Sequence, residues 1–127
     1  MSIRKLSERE EKLITLLVEL ACLKLLPDWK NTIRVEPMND GGMGSLKLFP
    51  TGIKKGNPRF GSNVSNLEFL DRDGMSILAG LFLSESGELF ELDMFKGDGS
   101  SLVEIPDVSK MKEIKVGITS KKWTQKL

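Results

Sequence analysis

Residues 64–96 read VSNLEFLDRDGMSILAGLFLSESGELFELDMFK, which is the strongest pattern in the chain. Apolar side chains recur at every second position in three segments, 64–71, 75–84 and 88–96. A period of two is typical of β-strands that bury one face. Two turn sequences separate the segments, Asp71-Arg72-Asp73-Gly74 and Ser84-Glu85-Ser86-Gly87. Three strands joined by two tight turns predict an antiparallel meander.

Residues 7–26, upstream of the strands, predict one long helix. Ser7 and Glu10 have the spacing of a capping box, in which each side chain bonds to the other residue's backbone N–H. Further acidic residues follow in the first turn, where the helix dipole favours negative charge. We expect Pro27 to end the helix, because proline restricts the preceding residue and lacks a donor. The polar stripe is narrow, so the helix should be mostly buried and lie across a sheet.

A hairpin is predicted between the helix and the meander. Residues 33–36 and 46–48 alternate apolar and polar, and the segment between them is rich in glycine. A phosphate-binding loop would need a lysine after its last glycine and a helix behind it, whereas this chain continues as a strand. We therefore interpret the segment as a hairpin turn that needs positive φ angles. Its turn residues are Asp40, Gly41, Gly42 and Gly44.

The last third of the chain is less regular. It predicts a short strand at 102–105, a short helix through 106–114 and a frayed basic tail at 117–127. The whole chain, 1–127, is expected to be one domain. We predict an α+β fold, in which the N-terminal helix packs on a curved antiparallel sheet of five or six strands. The alternative is a cystatin-like or NTF2-like roll, which would enclose a pocket.

The composition excludes several chemistries. The 127 residues include 19 basic and 18 acidic side chains, no His and one Cys. Without His, neither Ser-His-Asp nor Cys-His catalysis is available, and no His-ligated metal site can form. We therefore predict no metal and no cofactor. The formal net charge of +1 argues against nucleic-acid binding through charge.

Several features favour a cytoplasmic protein without membrane association. The basic start is followed at once by acidic residues, unlike a secretory signal. The longest apolar stretch, 13–26, is 14 residues long and is interrupted by polar side chains, so it is too short to span a membrane. The single Cys22 cannot form an internal disulfide, which favours a reducing compartment.

The first turn of the meander begins like a calcium-binding loop. Such a loop needs a Glu at its twelfth position, which is Phe82 when the count starts at Asp71. An Asp-Gly pair suits a hairpin tip, so we interpret Asp71, Asp73 and Gly74 as turn residues.

The candidate binding residues lie on the last strand of the meander. Glu91 and Asp93 are two positions apart, so they share a face at a separation of roughly 6–7 Å. Leu89 and Phe95 are expected to flank them on that face, and Glu68 to join them from a nearby strand. Paired carboxylates in apolar surroundings can perform acid–base chemistry. The alternative is a solvated sheet face with cross-strand basic partners.

Three segments resemble a family of small uncharacterised bacterial proteins. They are NDGGMGS at 39–45, FLDRDG at 69–74 and GELFELDMFK at 87–96. The likeness runs from the capped helix to about residue 102, which is most of the chain. The resemblance implies membership of a family of domains of unknown function and supplies no mechanism.

The first functional hypothesis is a non-enzymatic module that binds another protein through Glu91, Asp93, Leu89 and Phe95. Small bacterial domains of this size and sheet type are often immunity proteins of toxin systems, and this analogy extends the hypothesis to that class. The alternative is a small-ligand or hydrolytic site inside a roll, with Glu91 or Asp93 as general base. A further alternative is RNA contact through the basic tail, where Trp123 lies among lysines.

Overall fold

The computed structural model describes residues 3–115, in which six strands form one antiparallel sheet. The helices are α1 (Glu8–Leu20) and the single-turn α2 (Trp29–Thr32). The strands are β1 (Arg34–Pro37), β2 (Leu46–Phe49), β3 (Phe60–Leu70), β4 (Ser76–Ser84), β5 (Leu89–Lys96) and β6 (Lys112–Glu113). Their order across the sheet is β1-β2-β5-β4-β3-β6. The predicted α+β architecture is therefore confirmed, and the open, curved sheet is not a closed roll.

Helix α1 begins where the capping box placed it. The Glu10 backbone N–H donates to the Ser7 hydroxyl at 3.2 Å, and the Ser7 backbone N–H donates to Glu10 Oε1 at 2.8 Å. The buried side of the helix consists of Leu13, Ile14, Leu17 and Val18. These side chains pack on the sheet in one apolar core with residues of β1 to β5.

The end of α1 differs from the prediction. The helix stops at Leu20, and Pro27 lies well beyond it. Cys22 has a φ of 55°, its N–H donates to the Glu19 carbonyl, and the Leu23 N–H donates to the Val18 carbonyl. This is the left-handed helix end that glycine usually occupies. A cysteine at that position gave no signal in the sequence.

The meander forms as predicted from β3, β4 and β5. Strand β3 starts four residues earlier than the apolar pattern indicated, at Phe60. The two turns place Gly74 and Gly87 at φ angles of 85° and 86°. In β5, Phe82 pairs with Glu91 and Leu83 pairs with Leu89, so Phe90 is an extra residue in a β-bulge.

The rest of the chain completes the two edges of the sheet. The predicted hairpin is β1–β2, and β2 pairs with β5 rather than with a neighbour in sequence. Residues 102–105 are not a strand, and the predicted helix through 106–114 is only a 3-10 turn, Val108–Lys110. Strand β6 follows and pairs with β3. The predicted basic tail at 117–127 lies outside the described residues.

Candidate functional site

The sheet has two unlike faces. One face packs under α1 and carries apolar side chains such as Leu81, Leu92 and Met94. We call the opposite face the acidic face. Strand register and alternation place these residues on it: Lys47 of β2, Glu91, Asp93 and Phe95 of β5, Leu78, Gly80 and Phe82 of β4, and Asn66 and Glu68 of β3.

Glu91 occupies the row of the acidic face that runs between β2 and β4. It lies opposite Lys47 on one side and opposite Phe82 on the other. Burial raises the pKa of the Glu91 carboxyl, and the negative charge of Asp93 raises it further, whereas Lys47 lowers it. Glu91 is therefore a half-buried acid with one cation nearby.

Asp93 is less well compensated than Glu91. Its Oδ1 lies 3.5 Å from the Ser45 hydroxyl, which also accepts a hydrogen bond from the Met94 N–H at 2.9 Å. Its Oδ2 is buried and has no hydrogen-bond donor among the described residues. Burial raises the pKa of Asp93, the Ser45 hydroxyl lowers it, and the Asp40 charge raises it. The sequence alone indicated a pair of acids but not this difference between them.

The other predicted binding residues are placed differently from one another. Phe95 lies on the acidic face, opposite Leu78, and is 41% exposed. Glu68 is on the same face but two strands away from β5, and it accepts a hydrogen bond from Ser76 at 2.8 Å. Leu89 does not flank the acids, because the bulge at Phe90 reverses the alternation and places Leu89 in the core.

A cleft of about 510 Å³ adjoins the acidic face at Glu91. It lies between β2, the start of β5 and the connection 50–58, and its apolar lining residues include Phe49 and Phe90. Its charged lining residues are Lys47, Lys54, Lys55, Glu88 and Glu91. The volume falls within the range of small-molecule sites. Glu91 thus belongs to both features, whereas Asp93 belongs only to the acidic face.

The glycine-rich turn is internally satisfied. Gly41, Gly42 and Gly44 have φ angles of 78°, 82° and 107°, as an irregular turn of this kind requires. The Asp40 carboxylate accepts hydrogen bonds from the backbone N–H groups of Gly42, Met43 and Ser45 at 3.0–3.2 Å. These donors are therefore occupied by the protein's own carboxylate rather than presented to a phosphate.

The sequence interpretation missed a buried charge cluster, Lys96, Asp71 and Asp73. The Lys96 ammonium lies 2.8 Å from Asp71 Oδ2 and 2.5 Å from Asp73 Oδ2, and it donates to the Ser101 carbonyl at 2.9 Å. The side chains of Lys96 and Asp71 are both 0% exposed. Lys96 follows Leu92 and Met94 on the core side of β5. A lysine at a position where the alternation of β5 predicts a core residue was the sequence signal for a buried ion pair.

Asp71 also joins the turn to the segment after β5. Its carboxylate accepts from the backbone N–H groups of Val103 and Glu104 at 2.8 and 3.0 Å. Burial alone would raise the pKa of Asp71, but the hydrogen bond from Lys96 and those from the backbone N–H groups lower it to about 2. The hydrogen bonds that Lys96 donates to Asp71 and Asp73 raise the pKa of Lys96. This cluster is satisfied within the protein, so we assign it to structure.

The described residues, 3–115, include neither a metal-ligating group nor a membrane-spanning helix. They contain no group of three or more Cys, Asp or Glu side chains arranged to hold a metal ion. No helix in this part of the chain is long and apolar enough to cross a membrane.

Comparison with known proteins identifies the family. The model of the family described as a domain of unknown function (DUF6984) matches residues 3–106. No curated protein gives a significant match, and no solved structure does either. The matched segment includes α1, all of β1 to β5 and both charged clusters of β5. The chain therefore belongs to the DUF6984 family of domains of unknown function, which confirms the expected membership of a family of domains of unknown function.

Proposed function

We propose that the protein is a non-enzymatic binding module that holds a basic segment of a partner protein on its acidic face. The observation that carries the proposal is Asp93 Oδ2, which is buried and has no donor among the described residues. A buried carboxylate oxygen without a donor is costly, and a cation from a ligand offsets part of that cost. A Lys or Arg that reaches the Asp93 carboxylate supplies the opposite charge that its surroundings lack.

The surroundings of Asp93 suit a protein partner. Glu91 adds a second carboxylate on the same strand, and Phe95 adds exposed apolar area beside it. A surface that combines apolar area with charges complementary to those of a partner is typical of protein recognition. The immunity hypothesis is the finer form of this proposal, with a toxin as the partner. It rests on analogy of size and sheet type.

A position-specific cross-link tests the proposal. A photoreactive phenylalanine analogue replaces Phe95 in the full-length protein, and the same analogue at exposed Lys24 is the control. We expect a partner to be trapped from position 95 and not from position 24. Binding of that partner, once purified, should be lost in Glu91→Gln/Asp93→Asn and weakened by salt, because the contact is electrostatic.

Two outcomes contradict the proposal. One is that the same proteins are trapped from both positions. The other is that the purified partner binds the Glu91→Gln/Asp93→Asn variant as tightly as it binds the wild type. Circular dichroism of each variant shows whether a loss of binding reflects a loss of fold.

A second candidate function, a small-ligand or hydrolytic site, is favoured by the cleft. Glu91 borders the volume of about 510 Å³, and its raised pKa suits a general base. A thermal-shift screen with small carboxylic acids and amines tests this candidate. A ligand of the cleft should raise Tm in the wild type and not in Lys54→Gln/Lys55→Gln, and an unchanged response in that variant contradicts it.

A further inference from the structure

We propose that residues 116–127 of the same chain occupy the acidic face when no partner is bound, and so compete with the partner for it. This inference rests on the proposed function, because it assigns a regulator to the same face.

The described chain ends beside the row of the sheet that contains Asp93. Strand β6 pairs with the outer edge of β3, and the Ile114 N–H donates to the Asn66 carbonyl at 3.0 Å. Asn66 lies opposite Gly80 on β4, and Gly80 lies opposite Asp93 on β5. The last described residues, Ile114 and Lys115, therefore lie at the level of Asp93, at the edge of the sheet.

The remaining chain is long enough to cross the face. Three strand spacings separate β6 from β5, which is roughly 14 Å. Trp123 is eight residues after Lys115, so an extended chain carries it up to about 26 Å away. The segment reaches Asp93 and Phe95 with length to spare, and attachment to the same chain gives it a high effective concentration.

The chemistry of the segment complements the face. Residues 116–127 contain Lys121, Lys122 and Lys126, together with Trp123, and no acidic residue. The face has its own cations, since Lys47 lies opposite Glu91 and Lys112 lies opposite Glu68. Asp93 has no cross-strand lysine in these pairings, and Phe95 beside it is partly exposed. The segment supplies a lysine that can pair with Asp93 and the indole of Trp123, which can pack against Phe95.

A spin label locates the segment directly. Thr124→Cys in a Cys22→Ser background gives one labelling site in the full chain, because Cys22 is the only native cysteine. We expect the amide signals of Glu91, Asp93 and Phe95 to lose intensity, while those of Leu13 and Leu17 in α1 do not. A label at position 24 is the control, and it should leave β5 unaffected.

A charge-matched pair of variants tests the cause. Lys121→Gln/Lys122→Gln/Lys126→Gln in the labelled protein should restore the β5 signals. Removing the same charge through the exposed Lys5, Lys24 and Lys110 should not. The inference is overturned if the label spares β5, if it broadens α1 equally, or if both triple variants behave alike.

The same variants separate this inference from the proposed function. If both hold, the partner trapped at position 95 binds the tail-lysine variant more tightly than the wild type. A β5 effect without any trapped partner would leave the tail contact established and overturn the proposed function. A trapped partner whose affinity is equal for wild type and tail-lysine variant would overturn the competition.

Discussion

Strand β5 carries two sets of charged side chains only three positions apart, and their surroundings differ. One set is fully paired within the protein, and the other is not. At Lys96 the strand enters a buried cluster in which the ammonium contacts Asp71 and Asp73. At Glu91 and Asp93 it presents two acids on the other face, and one oxygen of Asp93 has no donor among the described residues. The pKa of Asp71 falls to about 2, whereas those of Glu91 and Asp93 rise.

The difference separates charges whose hydrogen bonds are complete within the fold from charges that burial leaves poorly compensated. The cluster of Lys96 holds the β3–β4 turn and the segment after β5 together, and its groups find their hydrogen bonds inside the protein. The acids of the opposite face are ionised at a cost, because burial disfavours their charged forms. Proteins retain such costs at functional sites. The comparison therefore motivates the assignment of structure to one set and binding to the other.

The largest expected effect comes from breaking the buried cluster with Asp71→Ala. The change leaves the Lys96 ammonium with one carboxylate and removes the acceptor of three backbone N–H groups. Losing one partner of a buried ion pair typically costs about 3–5 kcal/mol, so we expect a loss of that order in the free energy of unfolding by urea. Asp98→Ala, which removes an exposed acid nearby, is the control. Equal losses in the two variants would show that the cluster does not stabilise the fold.

A smaller loss of unfolding free energy should appear when Asp71 is protonated by acid instead of being replaced. Because the folded pKa of Asp71 is about 2 and its ordinary value is 3.8, its ionisation stabilises the fold above about pH 4. That contribution disappears as the pH falls to about 2. The gap in unfolding free energy between wild type and Asp71→Asn should therefore narrow over this interval. If the difference in unfolding free energy between wild type and Asp71→Asn stays constant from about pH 5 to about pH 2, the assigned pKa of Asp71 is contradicted.

The smallest effect has the opposite sign and belongs to Glu91→Gln/Asp93→Asn. Raised folded pKa values mean that ionisation of these acids destabilises the fold at neutral pH. Removing the charges should increase the free energy of unfolding by about 1 kcal/mol, the low end of the cost of an unsatisfied buried group. The gain should vanish as the pH falls toward the ordinary values of 4.5 and 3.8.

Glu85→Gln/Glu88→Gln is the matched control, because it removes equal charge from the turn of the same hairpin. We expect no comparable gain there, since both side chains are exposed. A loss of stability in Glu91→Gln/Asp93→Asn would mean that the two acids serve the fold, and the contrast between the two sets of charge would fail.

Local patterns were enough to predict much of the fold. The start of α1 follows from Ser7 and Glu10, and the turns of the meander follow from Gly74 and Gly87, because each depends on contacts within a few residues. The pattern failed at Cys22 and at Phe90. In both places one residue adopts an unusual role, a left-handed helix end or a bulge, for which its side chain carries no distinctive preference.

The order of residues was sufficient to place Glu91 and Asp93 together, since alternation along one strand is a local property. It was also sufficient for the sheet class and for the helix that covers it. The hydrogen-bond and ion-pair partners of the charged side chains could not be predicted from such local patterns. Lys96 meets Asp71 across 25 positions of sequence, and β2 inserts beside β5 to bring Ser45 to Asp93. Whether a charged side chain is satisfied depends on such long-range neighbours, and only the folded sheet brings them together.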